Sequence, residues 1–199
     1  MAHPAFFDTV PTIVLKDPLA QLLGSAEQGL IEYSYAETVK LTGHSCPTVA
    51  GAWIMTVKAL QRLYGDEPPL RGGISVSFSK SSTEGVTGVI ASVVGYITGA
   101  TADTGFKGLR GRFDRRDLMH FEQAIDGDIR YERVDTGEHV TVSFNAGVIP
   151  PPAGMMPMLF LAMADDATPE QRLAFAEAWQ GRVSEIFKNM DHPELVSYS

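Results

Sequence analysis

The sequence predicts an α+β fold, an antiparallel or mixed sheet packed with helices, and three observations carry that prediction. Residues 47–64 and 168–190 repeat apolar side chains at helical spacing, and residues 129–144 alternate as a β-hairpin. No regular strand–helix–strand alternation orders these pieces into a parallel sheet. At 199 residues, with 44% hydrophobic and 20% charged content, the chain has material for one packed core, and a single domain over residues 1–199 is expected.

Each element has a local reason. A short helix is expected to begin near Asp17 and end by Gly24. Leu30 to Tyr35 alternates like a strand, with Ile31, Tyr33 and Tyr35 on one face. The helix opened by Pro47 runs to Tyr64 with Val49, Trp53, Val57, Leu60 and Tyr64 on one stripe. Its first half, residues 49–55, is apolar on every side, so that end is expected inside the fold. Gly73 to Phe78 reads as a strand. Ser81 to Glu84 fits a capping box for a second helix, which carries Val86, Val89, Ile90, Val93, Val94 and Ile97. That run is rich in β-branched residues, so a buried strand stays open as its alternative. Gly88, Ser92 and Gly95 form a small-residue stripe that would let another helix approach closely.

Ile129 to Arg133 and His139 to Phe144 flank the turn formers Asp135, Thr136 and Gly137. Pro150 to Pro152 ends that unit. Thr168, with Pro169 and Gln171, forms a capping box for a last helix to about Met190, carrying Leu173, Phe175, Trp179, Val183 and Phe187.

Composition excludes several classes. A net charge of −8 argues against a general nucleic-acid binder, which carries a basic surplus. No apolar run reaches the roughly 20 residues that span a bilayer, so no membrane partner is expected. The start, Met1-Ala2-His3-Pro4, lacks the basic and apolar regions of a signal peptide, and one cysteine makes no internal disulfide. A cytoplasmic location is the expectation. Asp103-Thr104-Gly105 and Asp135-Thr136-Gly137 sit at turn positions in a chain too short for two protease lobes, so an aspartic-protease reading fails.

The chemistry concentrates in Gly43-His44-Ser45-Cys46-Pro47, where the only cysteine lies two residues from a histidine. Thiolate and imidazole are the soft metal ligands of proteins. With Pro47 at the first helical position, Cys46 falls at the N-cap, where the helix dipole and free N–H groups stabilise negative charge. Cys46 is therefore a candidate catalytic nucleophile as well as a candidate ligand. His-x-Cys spacing alone does not decide this. A buried free cysteine beside a histidine bonded to a backbone carbonyl fits it too.

The segment resembles the Gly-His-x-Cys-Pro signature of the formylmethanofuran dehydrogenase E-subunit-like family. Ile97-Thr98-Gly99-Ala100-Thr101 is similar to that family's Thr-Gly-Cys-Thr stretch, with Ala100 where cysteine is usual. The resemblance covers residues 36–110 most closely, within a family-like core over about 36–150. It implies an α+β core, an intertwined homodimer and a transition-metal site on His44 and Cys46. Thr42 and Thr48 stand where the family often has histidine and glycine, and the zinc-finger domain of some members is absent. Zinc is the default metal for a His/Cys site, and an incomplete protein ligand set leaves an open position for redox or hydrolytic chemistry. Haem is the alternative, as a carrier function with Cys46 or His44 axial and Met155, Met156, Met158 and Met163 as apolar walls. Core filling is the simpler account of those methionines. A third reading is an interaction protein with no ligand.

Residues 107–116 hold five of the chain's 16 Lys and Arg, with glycines at 105, 108 and 111. Lys107, Arg112 and Arg115 are candidates to hold a small anionic ligand or metallocofactor, since Arg binds carboxylate or phosphate bidentately. Ion pairs with Asp114 and Asp117 are the competing account. His120 could join from that segment; His139 and His192 are expected in solvent. Glu84 is a candidate extra ligand, with helix capping as its simpler role. A homodimer is expected from the paired stripes of the second helix and from the apolar area of Trp179 and Phe187.

Overall fold

The computed structural model describes residues 3–199, and its architecture is α+β. A two-stranded antiparallel ribbon, β1 (Ile13–Lys16) and β2 (Leu30–Tyr33), precedes helix α2 (Tyr35–Thr42) and the long helix α3 (Pro47–Tyr64). The main sheet is mixed, ordered β6 (Met119–His120), β3 (Ile74–Phe78), β7 (Ile129–Arg133), β8 (His139–Phe144), β9 (Val196–Tyr198). Only β3 and β6 run parallel. Helix α4 (Thr87–Thr98) packs on α3, while α5 (Met155–Met163) packs on α6 (Pro169–Lys188). No helix among the described residues is long and apolar enough to cross a membrane.

The core is organised by α3. Twelve of its 18 residues are buried, and the run from Val49 to Val57 is buried without interruption, so it must be covered all round. Sheet strand β8 covers one side, and α2, α4 and α6 cover others. Gly51 admits one of these neighbours: a Cβ there would stand 2.5 Å from the ring of Phe144 at the end of β8.

Several elements depart from expectation for identifiable reasons. Tyr35 opens α2 instead of closing a strand, because Ser34 and Glu37 form a capping box in which Glu37 Oε2 accepts the Ser34 N–H at 3.0 Å. The second helix is helical, as its spacing predicts, but Ser81–Glu84 does not open it. Gly85 lies at φ +57°, outside the helical path, and α4 begins only at Thr87, with Val86 at an N-cap that has no side-chain cap. Its small-residue face meets its own chain: a Cβ at Gly95 would stand 2.9 Å from the Ala100 carbonyl, and one at Gly88 would stand 2.8 Å from that of Ser82. That face therefore receives loops, not a second helix. The four methionines after Pro152 form α5.

A buried charge cluster ties three distant segments together. Asp17 is 4% exposed and N-caps helix α1 (Pro18–Leu23), its Oδ1 accepting the N–H of Leu19 at 2.9 Å. Arg115 donates to the same oxygen at 2.8 Å and Arg71 donates to Oδ2 at 3.0 Å. Gly72, at φ +80°, gives the Arg115 guanidinium its room, since any Cβ there would overlap it. Burial alone would raise the Asp17 carboxyl, but the Ala20 N–H, Arg115 and Arg71 outweigh it and hold it below the ordinary carboxylate range. The charge cluster therefore stabilises the fold above about pH 4, where an unfolded Asp is ionised. That stability is lost as pH falls through the lowered value. Asp17→Asn leaves two arginines facing a neutral partner and is expected to cost about 3 kcal/mol at pH 7 in urea unfolding. It should also flatten the acid limb of the stability–pH curve.

Candidate functional site

Cys46 occupies the N-cap of α3, with Pro47 at the first helical position as the sequence predicts. Its Sγ accepts the N–H of Val49 at 3.4 Å, and the residue is 9% exposed. The sulfur thus takes one orphan donor of the helix start. His44 is exposed, and its Nδ1 lies 3.0 Å from the carbonyl oxygen of Thr42. A carbonyl can only accept, so Nδ1 carries the hydrogen of this bond and Nε2 is the ring nitrogen left without a protein partner. The pair straddles the surface, Cys46 inside and His44 outside.

The segment between them is clamped from two helices. Ser45 Oγ lies 2.8 Å from the Tyr35 hydroxyl, and the Ser45 carbonyl accepts from Trp179 Nε1 at 2.9 Å and from Gln180 Nε2 at 3.1 Å. Burial pushes the Tyr35 phenol up; the Ser45 bond opposes this in part, and the proximity of Cys46 adds to it. Tyr35 stays protonated and able to donate. The anchoring role of Trp179 was hidden in the sequence, where it counts only as an apolar position of α6.

Beside the clamp a cleft of about 290 Å³ opens between the N-termini of α3 and α4. Pro47 and Thr48 stand on one side, Val86 and Thr87 on another, with Lys80 and Asp128 among the polar lining and Phe78, Met55 and Phe144 among the apolar lining. None of Lys107, Arg112 or Arg115 lines it. Lys107 and Arg112 are exposed on a small hairpin, β4 (Lys107–Leu109) and β5 (Arg112–Asp114), where Arg112 stacks over Phe113 at 4.9 Å. Arg115, expected to hold an anionic ligand, points inward to Asp17, because a buried guanidinium requires a carboxylate partner. Arg116 pairs with Asp114 at 2.7 Å. His120 is half-buried on β6, His139 and His192 are exposed, and Glu84 is exposed near Lys80. Met155, Met156, Met158 and Met163 do not line the cleft.

Among the described residues no three of His, Cys, Asp or Glu gather into a group that could hold a metal ion. In comparisons with known proteins, no family model, no curated protein and no solved structure matches the chain. The likeness to the formylmethanofuran dehydrogenase family therefore rests on residues 43–47 and 97–101 themselves.

The clamp yields a direct test. Trp179→Phe removes one hydrogen bond to the Ser45 carbonyl while keeping an aromatic ring, and is expected to cost roughly 1 kcal/mol. Labelling of Cys46 by a thiol reagent should quicken in the same variant, since segment 43–46 loses a restraint. Unchanged stability and labelling would place the anchor elsewhere.

Proposed function

We propose that this chain is a transition-metal-binding protein of the formylmethanofuran dehydrogenase E-subunit-like group, with His44 Nε2 and Cys46 Sγ as its ligands and zinc as the metal. The observation that carries the reading is the Nδ1–H bond from His44 to the Thr42 carbonyl. Metal-ligating histidines donate their other ring N–H in this way, which fixes the tautomer and leaves a lone pair for the ion. The Val49 N–H bond fixes the position of Cys46 Sγ at the helix start in the same sense. Two donors of this softness suit zinc, and the further positions fall to water, a ligand or a second copy. A zinc ion held there would supply Lewis-acid chemistry, with Cys46 as the reactive protein group. A cytoplasmic setting suits a thiol that has no disulfide partner.

Metal analysis of the purified protein, with a visible spectrum on the same sample, tests this. About one metal per chain is expected, falling at least tenfold in His44→Ala and Cys46→Ser while the circular dichroism spectrum stays unchanged. Full occupancy in both variants would overturn the site. A Soret band would move the reading to haem.

We further propose that the chain works as a homodimer joined through α5 and α6. Nine residues of α5 include no charge, yet Met156, Phe160, Leu161 and Met163 are each more than half exposed, as is Leu173 on α6. Monomeric proteins seldom leave so continuous an apolar face in water. A second copy suits it, because a face without charge offers nothing to select a different partner, and the family resemblance implies a dimer. Light scattering at low micromolar concentration should give twice 21.6 kDa, and Phe160→Glu with Met163→Lys should return the mass to 21.6 kDa. A wild-type mass of 21.6 kDa would contradict the dimer.

A further inference from the structure

We infer that the cleft between the α3 and α4 N-termini is a binding site for a small apolar carboxylate, a site separate from the His44–Cys46 metal reading. Two helix starts face one cavity. Among the described residues the Thr48 N–H has no protein acceptor and α4 lacks any side-chain cap at Val86, and both residues line the cleft. A helix start without its cap is a place where a ligand carboxylate can take over the missing acceptor.

Thr87 supplies the independent observation. The residue is only 5% exposed and lines the cleft, yet its hydroxyl makes no hydrogen bond among the described residues. Its hydroxyl is not among the side-chain atoms sealed from solvent without a partner, and the residue lines the cleft. A buried hydroxyl left without a partner costs stability unless a ligand or water completes it. Lys80 adds a positive charge at the same wall. Its contact with Glu84 is 3.9 Å long between side chains that are both 58% exposed, and a pair so exposed is weak enough to yield to a ligand.

The rest of the cavity sets the ligand class. Met55, Phe78, Ile90 and Phe144 give it an apolar floor that free phosphate could not use. Phe144 holds its place because Gly51 has no side chain. A volume of about 290 Å³ admits on the order of ten non-hydrogen atoms, at about 30 Å³ for each water-sized group. Asp128, whose Oδ2 accepts the Phe144 N–H at 3.1 Å, carries the opposite sign. It repels an anion from its own side, so the ligand carboxylate belongs at the helix starts beside Thr87 and Lys80.

Calorimetric titration of the whole protein with phenylacetate, phenylacetamide and inorganic phosphate tests the site. Phenylacetate should saturate, with the amide and phosphate at least about tenfold weaker, the ratio expected when a charged hydrogen bond or the apolar contact is lost. Thr87→Val preserves shape and should weaken phenylacetate roughly fivefold to tenfold, whereas Thr87→Ser should retain binding. Phenylacetate should bind equally well to the wild-type protein before and after dialysis against a chelator, which separates this site from the metal site. No saturable binding below about 10 mM, equal binding of phosphate or the amide, or an unchanged Thr87→Val would each overturn the proposal.

Discussion

A helical segment buried on every side must be surrounded, and the first half of α3 is that segment here. From Val49 to Val57 every residue is buried, so β8, α2, α4 and α6 have to close on it from different directions. That requirement fixes more than stability. Because Pro47 can start a helix but cannot extend one backwards past its own ring, the N-cap falls on Cys46, and the closing elements arrive around that end. The only thiol of the chain is thereby placed at a helix start within the fold, and the first turn of α4 is brought alongside it to make a cleft.

The elements that close on α3 are held by a few polar contacts between segments far apart in the chain. Tyr35 at the start of α2 and Trp179 and Gln180 on α6 all meet at Ser45, the residue between the two proposed ligands. Asp17 performs the same kind of joining near the C-terminal end of α4, where Arg71, which also donates to the Tyr96 and Ile97 carbonyls, and Arg115 converge on one carboxylate. These contacts are individually modest, but each leaves a buried group without a partner if it is broken, and that is the costly condition. Ser45 is thereby fixed between His44 and Cys46.

Features coded within a few residues were legible in the sequence. The start of α3 at Pro47, the capping box of α6 at Thr168, the Asp17 cap of α1 and the β7–β8 hairpin all stand where their local signals place them. The N-cap position of Cys46 was legible for the same reason. Helix α2 carried an equally local signal in Ser34 and Glu37, masked because Leu30–Tyr35 also alternates like a strand. The start of α4 was misplaced because a capping pattern takes no account of Gly85, whose positive φ diverts the chain. What could not be read was non-local. Arg115 looks like one of five basic residues in a loop until the fold sets Asp17 beside it, 98 positions away. The cleft likewise draws its walls from segments near residues 48, 80, 87, 128 and 144, which no spacing rule connects.

The central claim is that residues 43–47 hold a metal through one sulfur and one imidazole. X-ray absorption at the edge of the metal found in the purified protein addresses it most directly, because it reports the atoms bound to the ion. The account predicts one sulfur scatterer at about 2.3 Å and imidazole nitrogen at about 2.0 Å, with lighter atoms completing the shell. A shell of oxygen and nitrogen alone, or a protein that takes up no metal when zinc is supplied, would contradict it.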